Sequence, residues 1–374
     1  MDLAFVFSRR YNTGPAVMVS TIISKDRAWV EVNLANVAAN ARTILDAAHG
    51  ARMLPMVKAD AYGLGVEAVV HRLESLNPWG YGVATIDEAI QLREMGIRTR
   101  VIVFAPAVLG QLDTFRRFQF TAVLDRPEMV PGWDLPFHLE IDTGMSRCGV
   151  LWDSPEVAAC DSEYLEGIFT HLHSADERAE TIVVQQKRFE QAACGFDSKI
   201  LRHIANSAGA FSIPESLDLV RPGIFLYGSP TRDDLPRPLP VVAVRARVLS
   251  LRDVARGEGV SYGGDWIAAE GTTVATLGIG FADGLPRSVQ GRFGVLIGGV
   301  KCPVLGRVTM DMVMVDVSHL APGCAGVGAV ATILGRDGKA EITLEDYAVA
   351  SDTSTYEVLV RLGLRLPRVY SEGE

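Results

Sequence analysis

From about residue 28 to 240, eight short apolar runs alternate with amphipathic segments, and this alternation restricts the fold more than any other feature of the chain. The runs are "RMLPMVK" (52–58), "WGYGVAT" (79–85), "RVIVFA" (100–105), "FTAVL" (120–124), "FHLEID" (137–142), "EGIFTH" (166–171), "ILRHIAN" (200–206) and "LDLVRPG" (217–223). Between many of them lie segments such as "GVEAVVHRLESL" and "IDEAIQLREMG", whose apolar residues recur at helical spacing. Strands that are apolar throughout and separated by helices belong to a parallel sheet covered on both faces. Eight of them suggest an α/β fold, a (β/α)8 TIM-like barrel with helices outside. A doubly wound open sheet is the structural alternative.

After about residue 240 the texture changes. "PRPLPVVAVRARVLSLRDV" opens with prolines and continues as a period-two apolar run, and "TTVATLGIGF", "FGVLIGGV", "KCPVLGRV", "MVMVDV" and "GAVATILG" follow between Gly and Asp residues. Short strands with turn residues and little helix describe a second, mostly β domain. The expected division is a barrel over 27–240 and a C-terminal β domain over 241–374. A chain of 374 residues is long for one ordinary core. Residues 1–26 contain "FSRRYNTGPAVMVSTII", a faint echo of a signal peptide that is short, interrupted and without a good cleavage site. The expectation there is a poorly ordered leader.

Composition excludes several classes. A net charge of −9 argues against a nucleic-acid footprint. No apolar run approaches the ~20 residues of a membrane helix. Five cysteines without CxxC spacing read as reduced thiols of a cytoplasmic protein, not as a disulfide framework or metal site.

In a parallel barrel the active site lies at the C-terminal ends of the strands. Residues unsuited to a core fall there repeatedly. Lys58 ends the first run, Arg147 follows the fifth, His171 ends the sixth, Asn206 and Ser207 close the seventh, and Arg221 lies in the eighth. Each has an ordinary alternative: a satisfied structural histidine, an ion-paired arginine, a lysine that snorkels to solvent. Together they describe a cationic mouth. A lysine desolvated among cations has a lowered pKa and becomes a nucleophile toward an aldehyde. Pyridoxal phosphate (PLP) is the common aldehyde partner. "NSAG" and "RPGI" offer small residues and backbone N–H groups for its phosphate, where barrels often bind one.

At these residues the sequence resembles the alanine racemase family, from about Arg27 to Tyr370. "VKADAYGLG" is similar to the family's PLP-lysine signature, and "DTGMSRCG", "THLHSADE", "ANSAG", "VRPGIFLYG", "GVSYGG", "GFADG", "GRVTMDM" and "STYEVL" follow in the family's order. The resemblance implies a PLP-dependent homodimer with shared active sites that interconverts L- and D-alanine, the latter for cell-wall peptidoglycan. By motif match, Lys58 carries the cofactor and is one catalytic base. Tyr262 is the second, reaching the site from the partner subunit. Arg221 donates to the pyridine nitrogen. Tyr62, Ser207, Gly223, Ile224 and Tyr356 match phosphate-binding positions, with Asn206 beside them. His171 matches a residue that hydrogen-bonds either that arginine or the catalytic tyrosine. Arg147 and Met310 match residues near the substrate carboxylate.

The chemistry suits these roles. Racemisation removes a proton from one face of the α-carbon and returns one to the other, which an amine and a phenol on opposite faces can do. An arginine at the pyridine nitrogen leaves that nitrogen largely unprotonated and limits side reactions such as transamination. There are ordinary alternatives here too. Tyr262 lies in a Gly-rich turn that a tyrosine can simply cap, Tyr62 can be packing, and Asp311 reads first as a buried turn group. The sequence also departs from the family. Leu64 replaces a common histidine, Phe281 stands where many relatives have tyrosine, and Glu140 stands where many carry a carbamylated lysine. Glu140 is therefore expected to pair with Arg147. Rival functions are a serine or broad-specificity racemase, a non-catalytic PLP carrier, and a basic-amino-acid decarboxylase. The carrier would lack the β domain, and the decarboxylase would place a carboxylate where Arg221 stands.

Overall fold

The computed structural model describes residues 27–214 and 217–373, so the expected leader over 1–26 lies outside the described residues. In chain order the first strands are β1 (Ala28–Asn33), β2 (Arg52–Met53), β3 (Gly80–Val83), β4 (Arg100–Val103), β5 (Thr121–Leu124) and β6 (Phe137–Asp142). They are followed by β7 (Val150–Leu151), β8 (Leu165–Phe169), β9 (Leu201–His203), β10 (Leu219–Val220) and β11 (Val242–Val254).

Strands β3, β4, β5, β6, β8 and β9 form one parallel sheet in that order, with β7 beside the end of β6, and β10 pairs with β2. Two sets of backbone hydrogen bonds close the ring. Trp79 N donates to Met53 O and Gly82 N to Pro55 O, at 2.8 and 2.9 Å, joining β2 to β3. Asp218 N donates to Arg202 O and Arg221 N to Ala205 O, both at 2.9 Å, joining β9 to β10. Each of the eight apolar runs thus supplies one strand of a closed parallel barrel. Pro55 cuts the first short, because proline has no N–H for the ladder. Helices cover the outside. In Ile86–Glu94, Thr85 caps the backbone of Glu88 while the Glu88 carboxylate reaches back to the N–H of Thr85.

β1 does not join the barrel. It pairs antiparallel with β11, in register Ala28↔Ala246, and parallel with the strand Arg368–Ser371. β11 is the spine of a nine-stranded sheet, bonded also to Thr272–Leu277 and Val330–Asp337. The β layer is therefore sewn to both ends of the chain, with the barrel inserted after its first strand.

One local feature fixes the site. Immediately after Lys58, residues Ala59, Asp60, Ala61 and Tyr62 all have φ between 52 and 56°, a left-handed turn of four non-glycine residues. Such residues cost roughly 1–2 kcal/mol each. Ala59 N donates to Glu88 Oε1 at 2.7 Å, and Val66 N to Asp60 Oδ1 at 2.7 Å. At the far end Arg368 donates to Gly63 O through Nε and Nη2, at 3.1 and 2.9 Å. The same guanidinium also donates to the carbonyls of Leu362, Gly363 and Leu366. The turn is held from the barrel side by Glu88 and from the β domain by Arg368.

Arg368→Ala strips these four carbonyls of a charged donor. We expect a loss of about 3 kcal/mol in urea unfolding, with Arg368→Lys recovering only part because an ammonium cannot reproduce the fork. A loss under about 0.5 kcal/mol, the range of ordinary surface changes, would show that the clamp is idle.

Candidate functional site

The barrel mouth encloses a cavity of about 310 Å³. Lys58, Tyr62, Glu140, Arg147 and His171 line it from one side. Asn206, Ser207, Arg221, Gly223, Ile224 and Tyr356 line it from the other. Strands separated by up to 165 residues in the chain, from Lys58 to Gly223, end at the same mouth and gather these groups, except Tyr356, which comes from the helix Thr355–Val360.

Lys58 makes no hydrogen bond or ion pair through its amine among the described residues. Burial lowers its pKa first and the nearby Arg147 charge adds to this, while Glu88 opposes both. The amine is thus biased toward its neutral, nucleophilic form. Tyr62 stacks on Tyr227 with ring centroids 4.6 Å apart, and burial pushes its phenol up to about 12.

A second group of contacts forms a donor-rich corner. Ser207 Oγ accepts from Gly223 N at 2.9 Å and from Phe225 N at 3.5 Å. Ile224 opens a short 3-10 turn, where a backbone N–H has no partner within the turn. A Cβ on Gly223 would lie 2.3 Å from the Tyr62 hydroxyl, so only glycine lets this backbone approach the cavity. Thr231 adds a buried hydroxyl with no partner among the described residues. Asn206 closes the corner, its side-chain oxygen accepting from Gly209 N at 2.9 Å. Unspent donors in a cavity that also holds the Arg147 and Arg221 guanidinium groups fit an anionic ligand such as a phosphate, and the free amine fits an aldehyde carried with it.

Arg221 is buried and anchored from below. Its Nη1 lies 2.7 Å from His203 Nδ1 and 3.0 Å from His203 O, and its Nη2 donates to Thr170 O at 2.7 Å. Burial draws its pKa down to about 10, with Glu140 opposing, which leaves it charged at neutral pH. Of the two partners expected for His171, Arg221 is not one. The His171 ring makes no hydrogen bond among the described residues, and burial with three neighbouring cations holds it near 3, hence neutral. It lies past the end of β8, at the cavity wall, whereas His203 sits within β9 directly under the arginine.

Glu140 is buried, and its Oε1 lies 3.9 Å from Arg147 Nη2, an ion-pair contact too long for a hydrogen bond. Burial raises its pKa, opposed by Arg147 and Arg221.

Tyr262, Phe281, Met310 and Asp311 do not line the cavity. They lie on three loops of the β domain that bond to one another: Ser261 Oγ donates to Arg307 O, Phe281 N to Thr309 O and Ala282 N to Met310 O. Tyr262 is 68% exposed and Met310 54%, with Met312 and Phe281 exposed beside them. Ser261, just before Tyr262, is held at φ 69°, a strained conformation for a side-chain-bearing residue. Asp311 is an exposed partner of Arg365 at 2.6 Å rather than a buried turn group. Arg365 and Arg27 both pair with the buried Asp283, which locks these loops.

His203, His138, Thr231 and Glu88 also shape the site, although no motif in the sequence marks them. The first two carried a signal, since histidines inside apolar strands need partners. Thr231 carried none.

Among the described residues no helix is long and apolar enough to cross a membrane, and no group of three or more His, Cys, Asp or Glu could hold a metal ion. Comparison with known proteins agrees with this geometry. Residues 32–230 match the family model "Alanine racemase, N-terminal domain" and 241–370 match "Alanine racemase, C-terminal domain". An alanine racemase of Carboxydothermus hydrogenoformans is 34% identical over 91% of this chain and 99% of its own. One from Nostoc sp. is 33% identical over 92% and 95%. The crystal structure of alanine racemase from E. faecalis superposes with a TM-score of 0.85 at 28% identity, covering 95% of this chain and all of that one. With a lysine-bearing barrel mouth, a β layer sewn to both chain ends, and relatives matched along nearly their full lengths, the chain belongs to the alanine racemase family.

Proposed function

We propose that the protein is a PLP-dependent racemase that interconverts L- and D-alanine with two bases, Lys58 and Tyr262, acting on opposite faces of the α-carbon. The observation that carries this reading is the unpartnered Lys58 amine in a cationic cavity beside the Ser207–Gly223 corner. Pyridoxal phosphate supplies an aldehyde for an amine and an electron-withdrawing ring that acidifies the α-carbon. Lys58 would anchor it. Ser207, Gly223, Ile224, Tyr62 and Tyr356 would hold its phosphate, with Asn206 ordering that corner. Arg221 would donate to its ring nitrogen without protonating it. Arg147 would meet the substrate carboxylate, and Met310, which does not line the cavity of its own chain, would come beside it only across the proposed dimer. His171, neutral and at the wall, suits a hydrogen bond to the tyrosine rather than to Arg221.

The exposed Tyr262 and Met310 support a head-to-tail homodimer in which Tyr262 of the partner subunit completes each site, since exposed apolar loops of this kind mark interfaces. The product would supply D-alanine for peptidoglycan. A chiral assay of purified protein with PLP against a panel of L-amino acids tests the activity. Alanine should turn over fastest, because Tyr356 and Met310 crowd a larger side chain. Faster turnover of serine would favour the broad-specificity reading, and no turnover of any amino acid would overturn the proposal.

Glu140 is the departure with a measurable consequence. As a carboxylate 3.9 Å from Arg147 it would take the place of a carbamylated lysine. Arg147 is half-exposed, so we expect Glu140→Gln to lower kcat/KM for alanine about tenfold, mainly through KM. Turnover of the natural protein should be the same with and without bicarbonate. Wild-type kcat/KM in Glu140→Gln would remove Glu140 from the site.

A further inference from the structure

Below Arg221 lies a line of three buried groups. His203 Nδ1 is 2.7 Å from Arg221 Nη1, and His203 Nε2 is 2.7 Å from His138 Nδ1. Both imidazoles are fully buried. The His203 ring also stacks on Phe169, centroids 5.0 Å apart and 10° from parallel, which fixes its plane.

The protons on this line are determined by elimination. A guanidinium has only donors, so His203 Nδ1 must present its lone pair. His203 cannot then be an imidazolium, and its one proton sits on Nε2. That N–H points at His138 Nδ1, which must accept. His138 is left with its own proton on Nε2, and Nε2 has no partner among the described residues. Burial, with the charges of Arg100 and Arg221 at His138 and of Arg221 at His203, holds both histidines far below their ordinary pKa, consistent with two neutral rings.

We infer that His138 is a positioning residue for the reaction: its Nδ1 lone pair accepts the Nε2–H that Arg221 imposes on His203 and fixes that ring, so that Arg221 is held in place by a neutral acceptor and faces the cavity with its charge undiminished. The inference rests on the proposed role of Arg221 at the cofactor's ring nitrogen. A carboxylate in place of His203 would hold the arginine equally well but would cancel its charge. The fold makes room for this arrangement. A Cβ on Gly167 would lie 2.6 Å from His138 Cε1, so the glycine in the neighbouring strand leaves space for the ring. A buried donor without an acceptor is costly, and a histidine kept only to fill space would be better replaced by an apolar residue.

Nitrogen-15 NMR of the protein with labelled histidine reads the tautomers directly. His203 and His138 should each show a protonated Nε2 and an unprotonated Nδ1 from pH 6 to 9. A proton on His203 Nδ1, or an imidazolium at either ring, would overturn the inference. Two variants separate positioning from packing. His138→Phe keeps a ring but removes the acceptor. It should leave the His203 Nε2–H without an acceptor, which shifts its Nε2 resonance, and lower kcat for alanine roughly tenfold, with KM within about twofold. His138→Asn keeps an acceptor near Nδ1 without the ring and should retain the His203 Nε2–H tautomer and most of kcat. A purely space-filling histidine predicts the reverse order, Phe tolerated and Asn not. If the tautomers are as assigned but the protein racemises nothing, the relay stands and the proposed function fails. If it racemises alanine with another tautomer, the function stands and the relay fails.

Discussion

Lys58→Ala is expected to lower alanine racemisation at least about 10³-fold, the largest effect of any single substitution in this protein, because in the proposed mechanism one side chain would both anchor the cofactor and move a proton. The variant should still fold. Among the described residues Lys58 makes no side-chain hydrogen bond or ion pair, and the turn after it is held through the backbone of Ala59 and Gly63 by Glu88 and Arg368. Its fate is therefore read in chemistry and not in stability. Borohydride reduction of PLP-loaded wild-type protein should place the label on Lys58 alone. A label on Lys187, Lys199 or Lys301, or an active Lys58→Ala variant, would remove the lysine from the mechanism.

Tyr262→Phe should cost about 10²–10³-fold, since it deletes the proposed second base and leaves Lys58 in place. Tyr262 is 68% exposed, and a turn that presents a phenol this openly loses little stability with the hydroxyl. The two variants also test how sites are shared. If Tyr262 acts across a dimer, a hybrid of one Lys58→Ala subunit and one Tyr262→Phe subunit contains one intact site and one doubly defective one. Equal mixing with random exchange then gives about a quarter of wild-type activity. Verified hybrids with no activity would mean that Tyr262 serves the cavity of its own chain.

Much of this architecture was legible in the chain. The eight barrel strands are apolar on both faces, and local pattern shows such strands well. The residues at their ends were legible for the same reason, because a lysine, two arginines and a histidine stand out against apolar runs. What escaped notice depends on contacts distant in the chain. β1, "AWVEVN", buries Ala28, Trp29, Val30 and Val32, but its partner in register, Ala28↔Ala246, lies beyond the whole barrel. The left-handed turn after Lys58 has good helix formers in it, and nothing in "KADAY" asks for positive φ. It is imposed by Glu88 and by Arg368, the latter 305 residues from Gly63. His203 looks like part of an apolar run because its partners, 18 residues ahead in Arg221 and 65 behind in His138, meet only when the barrel closes.

The central claim is that two bases from two domains exchange protons with opposite faces of one carbon. Racemisation of L-alanine in deuterium oxide tests it most directly. With separate bases, the proton taken by one cannot be the one delivered by the other. Initial product D-alanine should carry deuterium at the α-carbon throughout, and so should L-alanine formed from the D-enantiomer. Product that retains the substrate's own proton at early times would mean a single base serving both faces, and would contradict the pairing of Lys58 with Tyr262.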